Sequence, residues 1–223
     1  FGADAQAILD ATNPLDHFST GGMGFWLEMV NQLVAANHYA RPILLVPVAL
    51  NGTGFSNNYW NPGNWLFNDA VSSINAAMAT SGGNSLKAFL WFQGESDANV
   101  DSLTYESDLN TMRNAMISQI SGLTAETNWI CAKIKGSSSP TGVPIINGAL
   151  ESFINSIPNG YLVETTDQTL YDQYHFNQAS LRTIGQRFAT GIQYLDAEPQ
   201  AIAPELLLNQ ATFYSPTVFR APV

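Results

Sequence analysis

The sequence has little charge, little sulfur and no long apolar run. Of its 223 residues, 12% are Asp, Glu, Lys or Arg, about half the usual share for a soluble domain. Its surface must therefore be built from Asn, Gln, Ser, Thr and Gly, which suits an extracellular protein or a face for neutral sugars. Lys and Arg number only eight, and the formal net charge is −10. A phosphate backbone would meet a repelling field, which argues against a nucleic acid partner. The single cysteine excludes an internal disulfide and a multi-cysteine metal site. Cys131 stands in the apolar run Trp129-Ile130-Cys131-Ala132 and reads as a small core residue. Three histidines without ligand spacing argue against a metal centre. No apolar run reaches membrane-spanning length.

What the chain does have is a large apolar fraction, 45%, enough for one sizeable domain with its own core. Helix and strand patterns alternate along it. Apolar residues recur at helical spacing over 24–36, 68–79, 105–120, 145–157 and 181–192. Short apolar runs at 43–50, 86–92, 128–134 and 161–164 read as buried strands. Alternation of this kind predicts an α/β fold, a three-layer α/β/α sandwich around a central parallel sheet. Residues 1–196 are expected to form this domain. Residues 197–223, rich in Pro, are expected to form a short extended C-terminal tail or a strand added outside it.

Three polar stretches carry candidate chemistry. The first follows the strand at 86–92: Trp91-Phe92-Gln93-Gly94-Glu95-Ser96-Asp97. In open α/β sheets, ligands sit beyond the carboxyl ends of the strands. Gln93 has an amide suited to a developing oxyanion, while Glu95 and Asp97 can hold neighbouring loops by accepting hydrogen bonds. Ser96 and Asp97 can equally be no more than a capped entry into the next helix. The second, Asn51-Gly52-Thr53-Gly54, also follows an apolar run. It is either an ordinary tight turn or a loop whose backbone N–H groups approach a substrate. The third is Asp172-Gln173-Tyr174-His175. Its carboxylate can fold back on the imidazole, fix the tautomer and leave a general base; the alternative is a surface turn. Asn177 is placed to cap the last helix.

Together these stretches resemble the SGNH hydrolases, specifically the sialate O-acetylesterase-like and acetylxylan-esterase-like carbohydrate esterases. That group carries a Gly-Gly-Thr-type loop, a Trp-x-Gln-Gly-Glu-Ser-Asp block and a late Asp-x-x-His, in this order. Pro14-Leu15-Asp16-His17 also looks like a segment of these enzymes. The resemblance spans roughly residues 13–195 and is most specific in the Gln93 to Asp97 block. It implies a carbohydrate O-acetylesterase that needs no cofactor and acts on an acetylated carbohydrate. By resemblance His175 is the general base and Asp172 its orienting partner. Gly52 and Gln93 stabilise the oxyanion, and Glu95 braces the site. Asn51 stands where the family has Gly, which adds a side-chain amide near the pocket. Asn51, Thr53 and Trp60 are the expected substrate contacts, Trp60 being the best sugar platform among Tyr59, Trp60, Trp65 and Phe67.

One family element has no match. The nucleophile belongs to a Gly-x-Ser-Asn block upstream of the Pro14 segment, and residues 1–13 contain none. The expectation is that another chain, or another segment of the polypeptide, supplies the serine. Ser19 and Ser56 are the positional substitutes, and Ser96 is expected to be structural. Asp16 and His17 read as a pocket rim or a local turn pair, and His38 as a helix-end cap or surface residue. The tail around residues 212–218 faintly resembles modules of tailed-phage virion proteins. That implies an extracellular or virion-associated protein, a homo-oligomer or virion component acting on a bacterial surface glycan. A periplasmic esterase is the competing source. The rival class is a non-catalytic carbohydrate-binding or structural protein on the same scaffold.

Overall fold

The computed structural model describes residues 24–80, 83–136, 139 and 141–197. The segment at residues 14–17, Ser19 and the tail from residue 198 lie outside the described residues. Among the described residues, five α-helices and three strands follow in the order α1 (Trp26–Ala35), α2 (Trp65–Ala79), β1 (Ala88–Trp91), α3 (Ser102–Gln119), β2 (Asn128–Ala132), α4 (Gly142–Asn155), β3 (Gly160–Val163) and α5 (Gln178–Ala197). The strands form a parallel sheet in the order β1-β2-β3.

β2 shows why the sheet lies between two helical layers. All five of its residues are buried, as expected of a parallel strand covered on both faces. Trp129 and Cys131 enter a core shared with α2, α3 and α4. Ile130 and Ala132 enter a second core shared with α1 and α5. The period-2 alternation of a strand thus divides its side chains between two layers. The α/β/α sandwich expected from the sequence is the observed architecture.

Two elements differ from expectation. Helix α2 starts at Trp65, so Trp65, Leu66 and Phe67 are helical rather than loop. Leu66 and Phe67 are fully buried; core packing sets the start one turn earlier than the polar pattern suggested. More consequentially, residues 43–50 do not form a strand. Their side chains still divide between the layers, Ile43 and Leu45 on the α1/α5 side, Val46, Val48 and Leu50 on the other. The reason is spacing. A cavity of about 390 Å³ lies between residues 41–46 and 86–90, whereas strands in a ladder must lie about 4.8 Å apart. Among the described residues, β1 is therefore an edge strand.

Candidate active site

The best-formed chemical group is the turn before α5. Leu170 and Phe176 pair across it as an antiparallel bridge, and the Tyr171 N–H donates to the His175 carbonyl at 2.6 Å. Within the turn the Asp172 Oδ1 accepts the backbone N–H groups of Tyr174 (2.8 Å) and His175 (2.7 Å). Its Oδ2 lies 2.7 Å from His175 Nδ1. Asp residues fold such turns readily because the short carboxylate reaches the backbone two and three residues on. The His175 ring and the two backbone N–H groups hold the Asp172 carboxyl down at about 2, against its ordinary 3.8. A carboxylate only accepts, so Nδ1 carries the hydrogen and Nε2 of the neutral ring keeps its lone pair. The His175 side chain is 62% exposed. Beyond the turn, Asn177 Oδ1 accepts the Ser180 N–H at 2.9 Å and caps α5, as its position in the sequence suggested.

Packing sets where this turn sits. Phe176 is buried, and its ring centroid lies 5.8 Å from that of Phe92, just beyond the end of β1. The imidazole is thereby held on the side where β1 ends. Glu95 lies within electrostatic reach of His175. Burial raises the Glu95 carboxyl above its ordinary value, against the pull of the Glu95 and Gly94 N–H groups and of His175. Gly94 permits the sharp turn between Gln93 and Glu95. Its φ is +156°, and a Cβ there would come within 2.6 Å of Ile146.

The glycine loop and the Gln93 block are joined by one network. Gln93 Nε2 donates to the Thr53 carbonyl (3.0 Å) and to Asp97 Oδ2 (2.9 Å). Gln93 Oε1 accepts from the Tyr105 hydroxyl at 3.0 Å. Two pure acceptors facing one end and a hydroxyl facing the other fix the orientation of this amide. Asp97 is fully buried and also accepts the N–H groups of Phe55 (3.1 Å) and Ser56 (2.8 Å). Gly54 allows this approach, since a Cβ on it would stand 2.4 Å from Asp97 Oδ2. Tyr105 is buried in α3. Its hydroxyl accepts from Trp91 Nε1 and shares its one hydrogen between Oε1 and the backbone carbonyl of Gln93, tying the site to the core.

This geometry assigns several candidates. The amide nitrogen of Gln93, the expected oxyanion donor, is engaged here by the Thr53 carbonyl and Asp97 Oδ2. The Thr53 hydroxyl is turned inward onto the Leu50 carbonyl at 2.7 Å, and Thr53 is buried; it closes the loop rather than facing a ligand. Trp60 is also buried, edge-on to Trp91 at 4.9 Å. Its faces cover the core and are not a sugar platform. Asn51 and Gly52 are exposed. Gly52 has φ +72°, a conformation natural to glycine, and its carbonyl accepts from Asn57 Nδ2. Ser56 Oγ donates to the Ser96 carbonyl at 3.3 Å. Among the described residues no serine hydroxyl is bonded to the His175 ring.

For Asp97 the sequence left two readings open, a carboxylate that holds neighbouring loops or part of a capped helix entry, and here it accepts the Phe55 and Ser56 N–H groups of the neighbouring loop. Tyr105 read only as helix core. Their signals were a carboxylate four residues after Gln93 and a tyrosine where a phenylalanine would fill the core.

A second His–Asp pair helps to locate the site by contrast. His38 Nε2 bonds Asp196 Oδ2 at 2.8 Å, and Asp196 also receives Tyr39 and Asn128. Asn128 opens β2, so this pair lies at the amino end of the sheet and ties α1 to α5. Of the two pairs, the one at 172–175 has the more exposed ring, 62% against 19% for His38, and stands where ligands bind in open sheets. A shallow depression of about 470 Å³ lies beside it, lined by Lys135, Gly136, Val143 and Asn147 among others. Among the described residues no cluster of His, Cys, Asp and Glu could hold a metal ion, and no helix is long and apolar enough to cross a membrane.

Comparison with known proteins gives a family and a fold. A family model described as carbohydrate esterase, sialic acid-specific acetylesterase, matches residues 3–194. A solved structure of an Arabidopsis thaliana protein is similar, with a TM-score of 0.70 at 20% identity, covering 81% of this chain and 72% of that one. The structure of NanS gives a TM-score of 0.61 at 20% identity, covering 80% and 73%. A carbohydrate esterase family 3 protein from Talaromyces cellulolyticus gives 0.53 at 15% identity, covering 79% and 93%. A search of curated proteins returned no match.

Proposed function

The chain belongs to the carbohydrate esterase family of sialic acid-specific acetylesterases, and from that premise we propose that its His175 site removes O-acetyl groups from a glycan. In this reading a serine hydroxyl approaches His175 Nε2, which takes its proton as the oxygen attacks the acetyl carbonyl. Asp172 keeps the imidazole in the right tautomer and stabilises the imidazolium that forms. The Gly52 N–H, on the exposed rim of the loop, stabilises the oxyanion, with Asn51 beside it as a substrate contact. The protonated His175 then gives its proton to the departing sugar hydroxyl. Water activated by the same nitrogen cleaves the acetyl-enzyme and releases acetate.

The observation that carries this reading is the 2.7 Å Asp172–His175 pair at the carboxyl end of the sheet, with the His175 side chain largely exposed. The serine is proposed to come from another segment or another chain, as an added strand beside β1. Three features support that. β1 is an edge among the described residues. Residues 43–50 divide their side chains like a strand without joining a ladder. The apolar cavity between the two is lined by Met29, Leu33 and Ile192 from one helical layer and Ile74 and Met78 from the other. The proposal extends to an enzyme working outside the cell, on a virion or in the periplasm, on a bacterial surface polysaccharide; the low charge supports it.

Fluorophosphonate labelling of the full-length polypeptide, with the adduct mapped by mass spectrometry, tests the assignment. One labelled serine, lost in His175→Ala, is expected. A folded protein that takes no label instead favours the non-catalytic, carbohydrate-binding reading, which the lack of a serine bonded to His175 among the described residues would then explain.

A further inference from the structure

Asp97 is fully buried, and among the described residues its carboxylate accepts from N–H groups of Phe55, Ser56 and Gln93. Oδ1 takes Ser56 N; Oδ2 takes Phe55 N and Gln93 Nε2. Gln93 in turn holds the Thr53 carbonyl. The peptide groups at 53–56 are thus gripped from both sides, by a carbonyl clamp and by two N–H clamps. Gly52 immediately precedes this gripped stretch. The Gly54 N–H is used by Asn57 Oδ1 at 2.8 Å, and those of Phe55 and Ser56 are used by Asp97. The N–H groups left to face a substrate are those ahead of the clamp.

We propose that Asp97 is the positioning residue for the oxyanion-binding loop, acting directly on the Phe55 and Ser56 N–H groups and through Gln93 on the Thr53 carbonyl. The proposal rests on the esterase reading of the site. An oxyanion donor is effective only if its direction is set before the charge develops. The Asp97–Gln93 unit sets the direction of the Gly52 N–H by fixing the three peptide groups that follow it. Asp97→Asn would turn an amide NH₂ against either the Ser56 N–H or the Phe55 and Gln93 donors. A donor would then face a donor, with almost no change of volume.

Two readouts on the full-length protein test this. The first is aryl acetate hydrolysis by wild type, Asp97→Asn, Gln93→Met and the double variant. Each single change should lower kcat by about a hundredfold, the loss typical of a misplaced oxyanion donor, while KM moves less than about threefold. The double variant should be no worse than the poorer single, because the two act as one unit. Multiplying losses in the double variant would overturn the proposal. So would an Asp97→Asn enzyme with full kcat. The second readout is amide hydrogen exchange at Phe55 and Ser56, which needs no activity. It should be slow in wild type and fast in both Asp97→Asn and Gln93→Met. Unchanged slow exchange in folded Gln93→Met would refute the lock. If wild type hydrolyses nothing, the esterase reading fails, and the exchange result alone decides whether the lock exists. Should Asp97→Asn not fold, Gln93→Met carries both arms.

Discussion

Phe92 and Phe176 pack with ring centroids 5.8 Å apart, and each is the chain neighbour of a site residue. Phe92 precedes Gln93 and Phe176 follows His175. A contact between two core side chains thus brings together polar groups that are distant in sequence. The same principle places Tyr105, whose ring is in the core and whose hydroxyl holds Gln93.

Tyr105→Phe should therefore destabilise the fold with little change in packing. It leaves Gln93 Oε1 and Trp91 Nε1 without their buried partner, a loss of about 1–3 kcal/mol for an unsatisfied buried group. Urea unfolding of wild type and variant measures it. An unchanged midpoint would show that water replaces the hydroxyl at no cost.

Trp60→Ala separates a core role from a sugar platform. Trp60 packs edge-on to Trp91, so truncation should cost about 3–5 kcal/mol of stability. KM for a glycan and for a small aryl acetate should respond alike. A selective rise in KM for the glycan, with stability retained, would return Trp60 to the binding surface.

Glu95 gives a pH signature. Burial raises its carboxyl above the ordinary 4.5, so the folded protein keeps a proton that the unfolded chain has released. Stability attributable to this group falls as pH rises from 4.5 through the raised value. Glu95→Gln removes the titration, and its stability should decline less between pH 4.5 and 7 than that of wild type. Parallel urea midpoints across that interval in the two proteins would show that Glu95 contributes nothing.

Asp172 has the opposite sign. Its carboxyl is held at about 2 in the folded protein, below the ordinary 3.8. What it contributes is fully present above 3.8 and is lost as pH falls through about 2. Above pH 4 it should add no ionisation to the rate profile. Asp172→Asn should lower kcat by about 10²–10⁴-fold by releasing the tautomer, and an NMR titration of the carboxyl checks its value. A midpoint near 3.8 would mean the turn is not formed in solution.

The layered fold was legible because β1, β2 and β3 are short apolar runs separated by amphipathic helices, and local pattern dictates such elements. The run at 43–50 has the same pattern, yet pairing is not a local property. A ladder needs a neighbour at ladder distance, and a cavity lies where that neighbour would be. The Asp172–His175 pair was readable from spacing, since three residues of turn suffice to close it. Gln93 was identified, but its orientation was not. Which of its atoms remain free depends on Thr53, Asp97 and Tyr105, which only the folded chain brings to it. Trp60 failed for the same reason: an aromatic residue in a polar loop looks alike whether it faces solvent or a core.

Acetate release from an acetylated glycan or an aryl acetate, by the full-length polypeptide and its His175→Ala variant, decides whether His175 is the general base of an acetylesterase. Wild type should turn over, and the variant should lose at least about a hundredfold in rate with its circular dichroism and unfolding unchanged. Equal turnover by the two proteins would rule His175 out as the base.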